Sequence, residues 1–231
     1  MERPTNSFSR AELAKRIDHT ALRPNAAEEE IDRLCDEASR FGFWSVCVAP
    51  YFAKHASGRL KDSDVRVSVV IGFPFGYAEP ETKLYEARLA MERGADEIDM
   101  VMNISAFKSG DYESVNREVG LVADLCRDNG SLLKTIIECC YLTGEEKVLA
   151  ARNAEAAGTN YVKTSTGFGP SGATVEDVRL LRSVLSPPTK IKAAGGIGTM
   201  AKAVEMLQAG ADRIGSSSGV KIMEEWTGKT E

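Results

Sequence analysis

The segment Tyr161-Val162-Lys163-Thr164-Ser165-Thr166-Gly167-Phe168-Gly169 places a reactive residue type at the end of an apolar run. Tyr161 and Val162 favour a strand, and Gly158 and Asn160 before them mark a turn. Lysine then stands where the strand ends, and a polar, glycine-bearing loop follows. Lysine is seldom buried without a reason. Its amine attacks a carbonyl carbon only when neutral. With an ordinary pKa of about 10.4, roughly one free lysine in a few thousand is neutral at pH 7. Desolvation or a second cation nearby raises that fraction. The pattern recurs in Ile191-Lys192-Ala193-Ala194-Gly195-Gly196. Two strand-end lysines facing one mouth suit imine formation. They equally suit a pair of exposed cations that bind a phosphate or nothing.

Two further polar residues interrupt apolar strands. Asp99 lies in Ile98-Asp99-Met100-Val101, and Lys134 lies in Leu133-Lys134-Thr135-Ile136. A buried carboxylate is costly unless paired, and the lysines offer partners. Asp99 suits proton transfer, lysine orientation or a structural ion pair. Lys134 suits pairing with Asp18 or Asp99, and it suits a structural and a catalytic role equally. Three late loops, Gly167-Phe168-Gly169, Gly195-Gly196 and Gly215-Ser216-Ser217-Ser218, suit either an anion held by backbone N–H groups or simple turns. Cys47 follows Val46 on a strand and reads as core sooner than as a nucleophile. The histidines, His19 and His55, are too few and too far apart to suggest a metal. Neither G-x-G-x-x-G nor G-x-x-x-x-G-K occurs.

These residues need elements to hold them. Ser9-Arg10-Ala11-Glu12 has capping-box spacing and opens a short helix. Strands are expected at residues 17–22, 44–48, 65–71, 97–102, 132–137, 161–163, 191–194 and 213–215. Helices are expected at 26–41, from Pro50 to about 60, 79–93, 111–128, 143–157, from Thr174 to about 185, 199–208 and 220–226. Near-continuous apolar strands alternating with amphipathic helices argue for a parallel sheet. Eight such units argue for an α/β chain closed as a (β/α)8 TIM barrel with an additional short N-terminal helix, one domain over residues 1–231. Every strand's C-terminal end then faces one mouth, formed by Asp18 and His19, Cys47, 73–76, 99–103, 134–138, 163–169, 192–196 and 215–218. Phosphate sites of such barrels are often built after strands 7 and 8, where the last two glycine loops fall.

Composition sets outer bounds. The 231 residues are 27% charged and 43% hydrophobic, ordinary for a globular chain able to bury a large core. A net charge of −5 offers no general surface to nucleic acid or an anionic membrane. No apolar run approaches the ~20 residues of a membrane span. Residues 1–10 lack the apolar core of a secretory leader. The five cysteines form no C-x-x-C, and Cys139-Cys140, expected in a strand, should point to opposite faces. Reduced thiols in a cytoplasmic protein are the expectation.

Taken in order, Asp18-His19-Thr20, Gly72-Phe73-Pro74-Phe75-Gly76, Asp96-Glu97-Ile98-Asp99-Met100-Val101-Met102-Asn103, Leu133-Lys134-Thr135-Ile136-Ile137-Glu138, Val162-Lys163-Thr164-Ser165-Thr166-Gly167, Lys192-Ala193-Ala194-Gly195-Gly196-Ile197 and Arg213-Ile214-Gly215-Ser216-Ser217-Ser218 form a specific set. Over residues 9–226 the chain resembles the deoxyribose-phosphate aldolase family of class I, Schiff-base-forming aldolases. The resemblance implies reversible cleavage of 2-deoxy-D-ribose 5-phosphate to D-glyceraldehyde 3-phosphate and acetaldehyde in deoxyribonucleoside catabolism. It makes Lys163 the Schiff-base lysine, Lys192 the cation that depresses its pKa, and Asp99 the acid/base partner acting with water. Asp18 and Lys134 complete the polar network, and Cys47 matches a cysteine near the substrate in some members. Gly167, Gly195, Gly196, Ser217 and Ser218 match phosphate-binding positions, with Thr166 and Gly215 in the same substrate loops. It implies no metal or other cofactor, small sugar-phosphate and aldehyde ligands, and a homodimer or homotetramer.

The chain departs from the pattern in places. Phe168 stands where some members carry a lysine, and Gly198 stands where many carry an arginine, so weaker phosphate affinity is expected. Some members use a C-terminal tyrosine in proton transfer, and Trp226-Thr227-Gly228-Lys229-Thr230-Glu231 has none. Two alternatives stay open: a Schiff-base aldolase with another donor, and a non-catalytic barrel that binds a sugar phosphate.

Overall fold

The structure, a computed structural model, describes residues 8–227. Residues 1–7, with most of the leader comparison, and 228–231, with the end of the tyrosine-free tail, lie outside them. Parallel strands β1 (Ile17–Ala21), β2 (Ser45–Val48), β3 (Arg66–Ile71), β4 (Glu97–Val101), β5 (Leu132–Ile136), β6 (Tyr161–Lys163), β7 (Lys190–Ala194) and β8 (Arg213–Ser216) pair in sequence order, and β8 closes on β1. This is a (β/α)8 TIM barrel.

Helices cover the outside: α1 (Arg10–Ala14), α2 (Glu28–Phe41), α3 (Ala53–Arg59), α4 (Pro80–Glu92), α5 (Ile104–Lys108), α6 (Tyr112–Asp128), α7 (Gly144–Ala156), α8 (Val175–Val184), α9 (Met200–Gln208) and α10 (Gly219–Glu224). Their starts follow local chemistry. Ser9 with Glu12, and Thr143 with Glu146, form full capping boxes. Thr174 and Thr199 cap α8 and α9 through their side-chain oxygens. Gly42 ends α2 in the left-handed conformation, at φ 69°. None of the helices among the described residues is long and apolar enough to cross a membrane.

Three local details differ from expectation. A separate short helix, α5, precedes α6 because the Asn103 side chain accepts from Ala106 N–H and starts a turn of its own. Pro50–Phe52 is a 3-10 turn that runs into α3 rather than its first turn. Cys139 and Cys140 are not in a strand: β5 stops at Ile136, and Cys139–Tyr141 winds into another 3-10 turn. Both thiols are free.

Strand alternation separates two cores. Outward residues such as Val46, Val67, Ile98, Leu133, Val162, Ile191 and Ile214 pack beneath the helices as one hydrophobic cluster. Inward residues of the same strands are polar or charged: Asp18, Ser68, Glu97, Asp99, Lys134, Lys163, Lys192 and Arg213 are all buried. The barrel interior is thus an ionic core inside an apolar shell. In the helix layer, Lys83 on α4 and Glu118 on α6 form a fully buried pair at 2.8 Å. Glu118 also accepts from Asn103 N–H at 2.6 Å, which holds the chain leaving β4.

Candidate active site

The floor of the barrel comes first. Arg213 donates to Asp18 at 2.7 Å and to the Tyr161 hydroxyl at 2.9 Å, reaches Glu97 at 3.4 Å, and stacks over Trp44 with its guanidinium carbon 4.5 Å from the ring centre. Trp44 donates its indole N–H to Glu97 at 2.8 Å. Sequence reasoning placed Glu97 and Arg213 only as strand starts. Period two supplies the missing signal: each lies two residues before an inward position, Asp99 and Gly215.

Above the floor, charges alternate. Lys134 Nζ lies 2.6 Å from Glu97 and 2.7 Å from Asp99 Oδ1. Lys192 Nζ lies 2.5 Å from Asp18 Oδ2 and 2.7 Å from Asp99 Oδ2. Lys163 Nζ lies 2.8 Å from that same Asp99 Oδ2. Ser68 donates to Asp99 Oδ1 at 2.9 Å. Of the two partners considered for Lys134, the structure selects Asp99; Asp18 goes to Lys192 and Arg213.

Burial opposes ionisation of Asp99, yet Lys134, Lys163 and Lys192 together outweigh it and hold the carboxyl well below the usual range. Burial likewise opposes charge on Asp18, but Arg213 and Lys192 keep it low. Burial would discharge Lys192 and Lys134; the carboxylates around them prevail and raise both. Three firmly held cations, Lys134, Lys192 and Arg213, therefore face three carboxylates, Asp18, Glu97 and Asp99. Lys163 shares Asp99 with Lys134 and Lys192, so one carboxylate serves three amines.

Lys163 also differs in position. It lines a cavity of about 940 Å³ at the C-terminal end of the strands, whereas Asp18, Cys47, Asp99, Lys134 and Lys192 lie behind it and do not line that cavity. Asp18, Cys47 and Lys134, expected to bind substrate, are fully buried on inward strand positions. Their contacts run to the charge network rather than to the cavity. Burial pushes the Cys47 thiol up, and its Sγ lies 4.0 Å from Asp99. His19, placed among the mouth residues, lines the cavity together with its partner Glu37 on α2, 2.7 Å away, and packs against Phe43.

Thr166, Gly167, Gly195, Gly196, Gly215, Ser217 and Ser218 all line the cavity with Lys163. Close approach favours glycine at two of them, most strongly at Gly195. A Cβ on Gly195 would lie 2.9 Å from Gly172 Cα, at a backbone φ of 87°. A Cβ on Gly215 would lie 3.1 Å from Lys192 Cε, where the lysine stem passes. Ser216 ties the last two loops together, donating to Ile197 C=O at 2.6 Å and accepting from Ser218 N–H at 3.0 Å. Thr166 lines the cavity while its N–H and hydroxyl both donate to Glu138. Among the described residues, no cluster of His, Cys, Asp and Glu could hold a metal ion.

An amine at a cavity wall, backed by a carboxylate it shares with a second lysine, can form and protonate an imine. The model of the DeoC/LacD family aldolases matches residues 13–225. The deoxyribose-phosphate aldolase of Thermococcus gammatolerans is 54% identical over 215 residues, covering 92% of this chain and 96% of the relative. That of Thermococcus kodakarensis is 54% identical over 219 residues, covering 94% and 98%. Among solved structures, the deoxyribose-phosphate aldolase of Aeropyrum pernix, described as a unique tetramer, superposes with a TM-score of 0.88 at 38% identity, covering 94% of this chain and 91% of that one.

Proposed function

We propose that this chain, which belongs to the DeoC/LacD aldolase family, cleaves 2-deoxy-D-ribose 5-phosphate reversibly to D-glyceraldehyde 3-phosphate and acetaldehyde through a Schiff base on Lys163. Aldolase chemistry comes with the family. The substrate, the nucleophile and a role in deoxyribonucleoside catabolism are the finer reading. The observation that carries it is the single Asp99 oxygen lying 2.8 Å from Lys163 Nζ and 2.7 Å from Lys192 Nζ.

In the cleavage direction, the neutral Lys163 amine adds to C1 of the open-chain sugar. Loss of water from the carbinolamine gives a protonated imine. As the C3 hydroxyl loses its proton, the C2–C3 bond breaks, its electron pair moves into the imine, and glyceraldehyde 3-phosphate departs. The enamine takes a proton at C2, and water then releases acetaldehyde and restores the amine. The iminium nitrogen is the electron sink, so the step needs no metal to stabilise an enolate. Asp99 supplies a counter-charge to that nitrogen and, with water, relays protons at the carbinolamine and enamine stages. Lys192 and Lys134 keep Asp99 ionised and aimed. Gly167, Gly195, Gly196, Gly215, Ser217 and Ser218 would hold the phosphate with N–H and hydroxyl donors at the far wall.

We further propose that residues 1–231 act as one barrel domain, in the cytoplasm, as a homodimer or homotetramer, with no nucleic-acid or membrane partner. The direct test is a coupled assay of glyceraldehyde 3-phosphate release from 2-deoxyribose 5-phosphate. Turnover that vanishes with Lys163→Ala supports the reading, and binding of the sugar phosphate without any release would replace it by a binding barrel.

A further inference from the structure

Glu138 is the non-glycine residue with positive φ among the described residues, at φ 51° and ψ 69°. A side chain in that region strains the backbone, and such strain persists only where surrounding contacts hold it. Here the contacts are specific. Ile137 N–H donates to Lys163 C=O at 3.1 Å and Cys139 N–H to Thr164 C=O at 2.8 Å, so the chain on both sides of Glu138 is stitched to the segment that bears the nucleophile.

The carboxylate itself is almost wholly buried, 1% exposed, and has no cation within ion-pair distance among the described residues. Thr166 donates to it twice, through its N–H, 3.2 Å from both oxygens, and through its hydroxyl, and the Cys140 thiol, pushed up by burial and by the Glu138 charge, is a further hydrogen-bond partner. Thr166 Oγ1 in turn accepts from Phe168 N–H at 3.0 Å. Gly169 packs so close that a Cβ there would lie 3.4 Å from Glu138 Cδ and 2.7 Å from Cys140 Sγ. Glu138 is thus the anchor over which residues 166–169 fold, and Gly167 in the middle of that loop lines the cavity.

We propose that Glu138 is a positioning residue for the substrate: it never touches the sugar, but by engaging both donors of Thr166 it holds the Gly167 turn where a phosphate can meet it. A strained backbone and a buried carboxylate that takes both donors of Thr166 are costly for stability alone, and they are placed one loop away from Lys163. The inference rests on the sugar-phosphate reading above.

The test compares 2-deoxyribose 5-phosphate with unphosphorylated 2-deoxyribose in wild-type protein, Glu138→Gln, Glu138→Asp and Glu138→Gly; glycine accepts the positive φ, so that variant removes the carboxylate without adding strain. The expected result for Glu138→Gln and Glu138→Gly is a KM for the phosphorylated sugar raised about tenfold with kcat within about threefold, and kcat/KM for the unphosphorylated sugar within about twofold. Partial recovery of KM in Glu138→Asp, and no additional loss when Thr166→Val is combined with Glu138→Gln, are expected as well. Equal losses on both sugars, or a lower melting temperature with unchanged KM, would overturn the positioning role. If Glu138→Gly does not fold, Glu138→Gln decides alone. Wild-type protein that cleaves neither sugar would overturn the sugar-phosphate reading itself, and this inference with it.

Discussion

Lys163 and Lys192 are direct cross-strand partners in the β6–β7 register, and one oxygen of Asp99 bridges their amines. Parallel pairing sends both side chains to the same face, into the barrel. Only Lys163 of the two reaches the cavity. The arrangement separates two positions for lysine: one amine is held as a cation by Asp18 and Asp99, and the other faces the cavity.

Replacing Lys192 with methionine removes a cation that both carboxylates share. Two buried carboxylates then lose a partner, and the expected cost is about 3–5 kcal/mol of stability. Chemical denaturation checks that. In the protein that remains folded, the rising limb of the pH–rate profile should move to higher pH, because a fixed cation no longer disfavours charge on the nucleophile. An unchanged profile would remove Lys192 from the catalytic electrostatics.

The same network dictates how stability depends on pH. Asp18, Glu97 and Asp99 are all lowered in the folded protein. Their contribution is complete above their unfolded values of about 4 and is lost as pH falls below that toward the folded values. Lys134 and Lys192 are raised, so their contribution is complete below about 10.4 and is lost as pH climbs through the folded values. Glu118 opposes the acid trend weakly, since burial raises it despite Lys83. Melting temperatures should be nearly flat from about pH 6 to 9 and drop steeply below about pH 4. A steady rise of melting temperature down to pH 4 would contradict the network's role.

Gly198 tests the phosphate wall. A Cβ there would meet nothing nearer than Ser218 Oγ at 3.8 Å, so a side chain fits. Gly198→Arg should lower KM for 2-deoxyribose 5-phosphate by about three- to tenfold, as a guanidinium–phosphate contact would, and leave the unphosphorylated sugar unaffected. Equal change for both sugars would place the phosphate elsewhere.

An imine mechanism also makes a simple statement about chelation. Incubation with EDTA should leave the initial rate unchanged. Loss of activity restored by a divalent ion would indicate a metal-stabilised enolate instead.

Much of this site was legible from residue type alone. Asp99 and Lys134 break apolar strands, Lys163 ends β6, and Lys192 lies mid-way along β7, two residues further inside its strand than its place before the glycines suggests. The barrel followed from the repeat of strand and helix, since each strand is apolar enough to need cover on its outer face. What escaped was the depth of the network. Glu97 and Arg213 look like ordinary charged residues at strand beginnings, because a sequence shows which residues are charged and not which strands face one another. Asp18 meets Arg213 across the β8–β1 closure, 195 positions apart in sequence. Thr166 was legible as a loop residue but not as Glu138's partner, since their contact depends on how two loops fold over each other. Cys139 and Cys140 were misplaced because the β-branched run before them gives no sign of where β5 stops.

The most direct measurement is intact mass after incubation with acetaldehyde and sodium borohydride, followed by peptide mapping. Reduction of the imine should leave one ethyl group, on Lys163. That result would establish the imine-forming lysine and the two-carbon donor together. An adduct on Lys192 or Lys134 would contradict the assignment of roles, and no adduct in protein that still binds the sugar phosphate would contradict the Schiff-base chemistry itself.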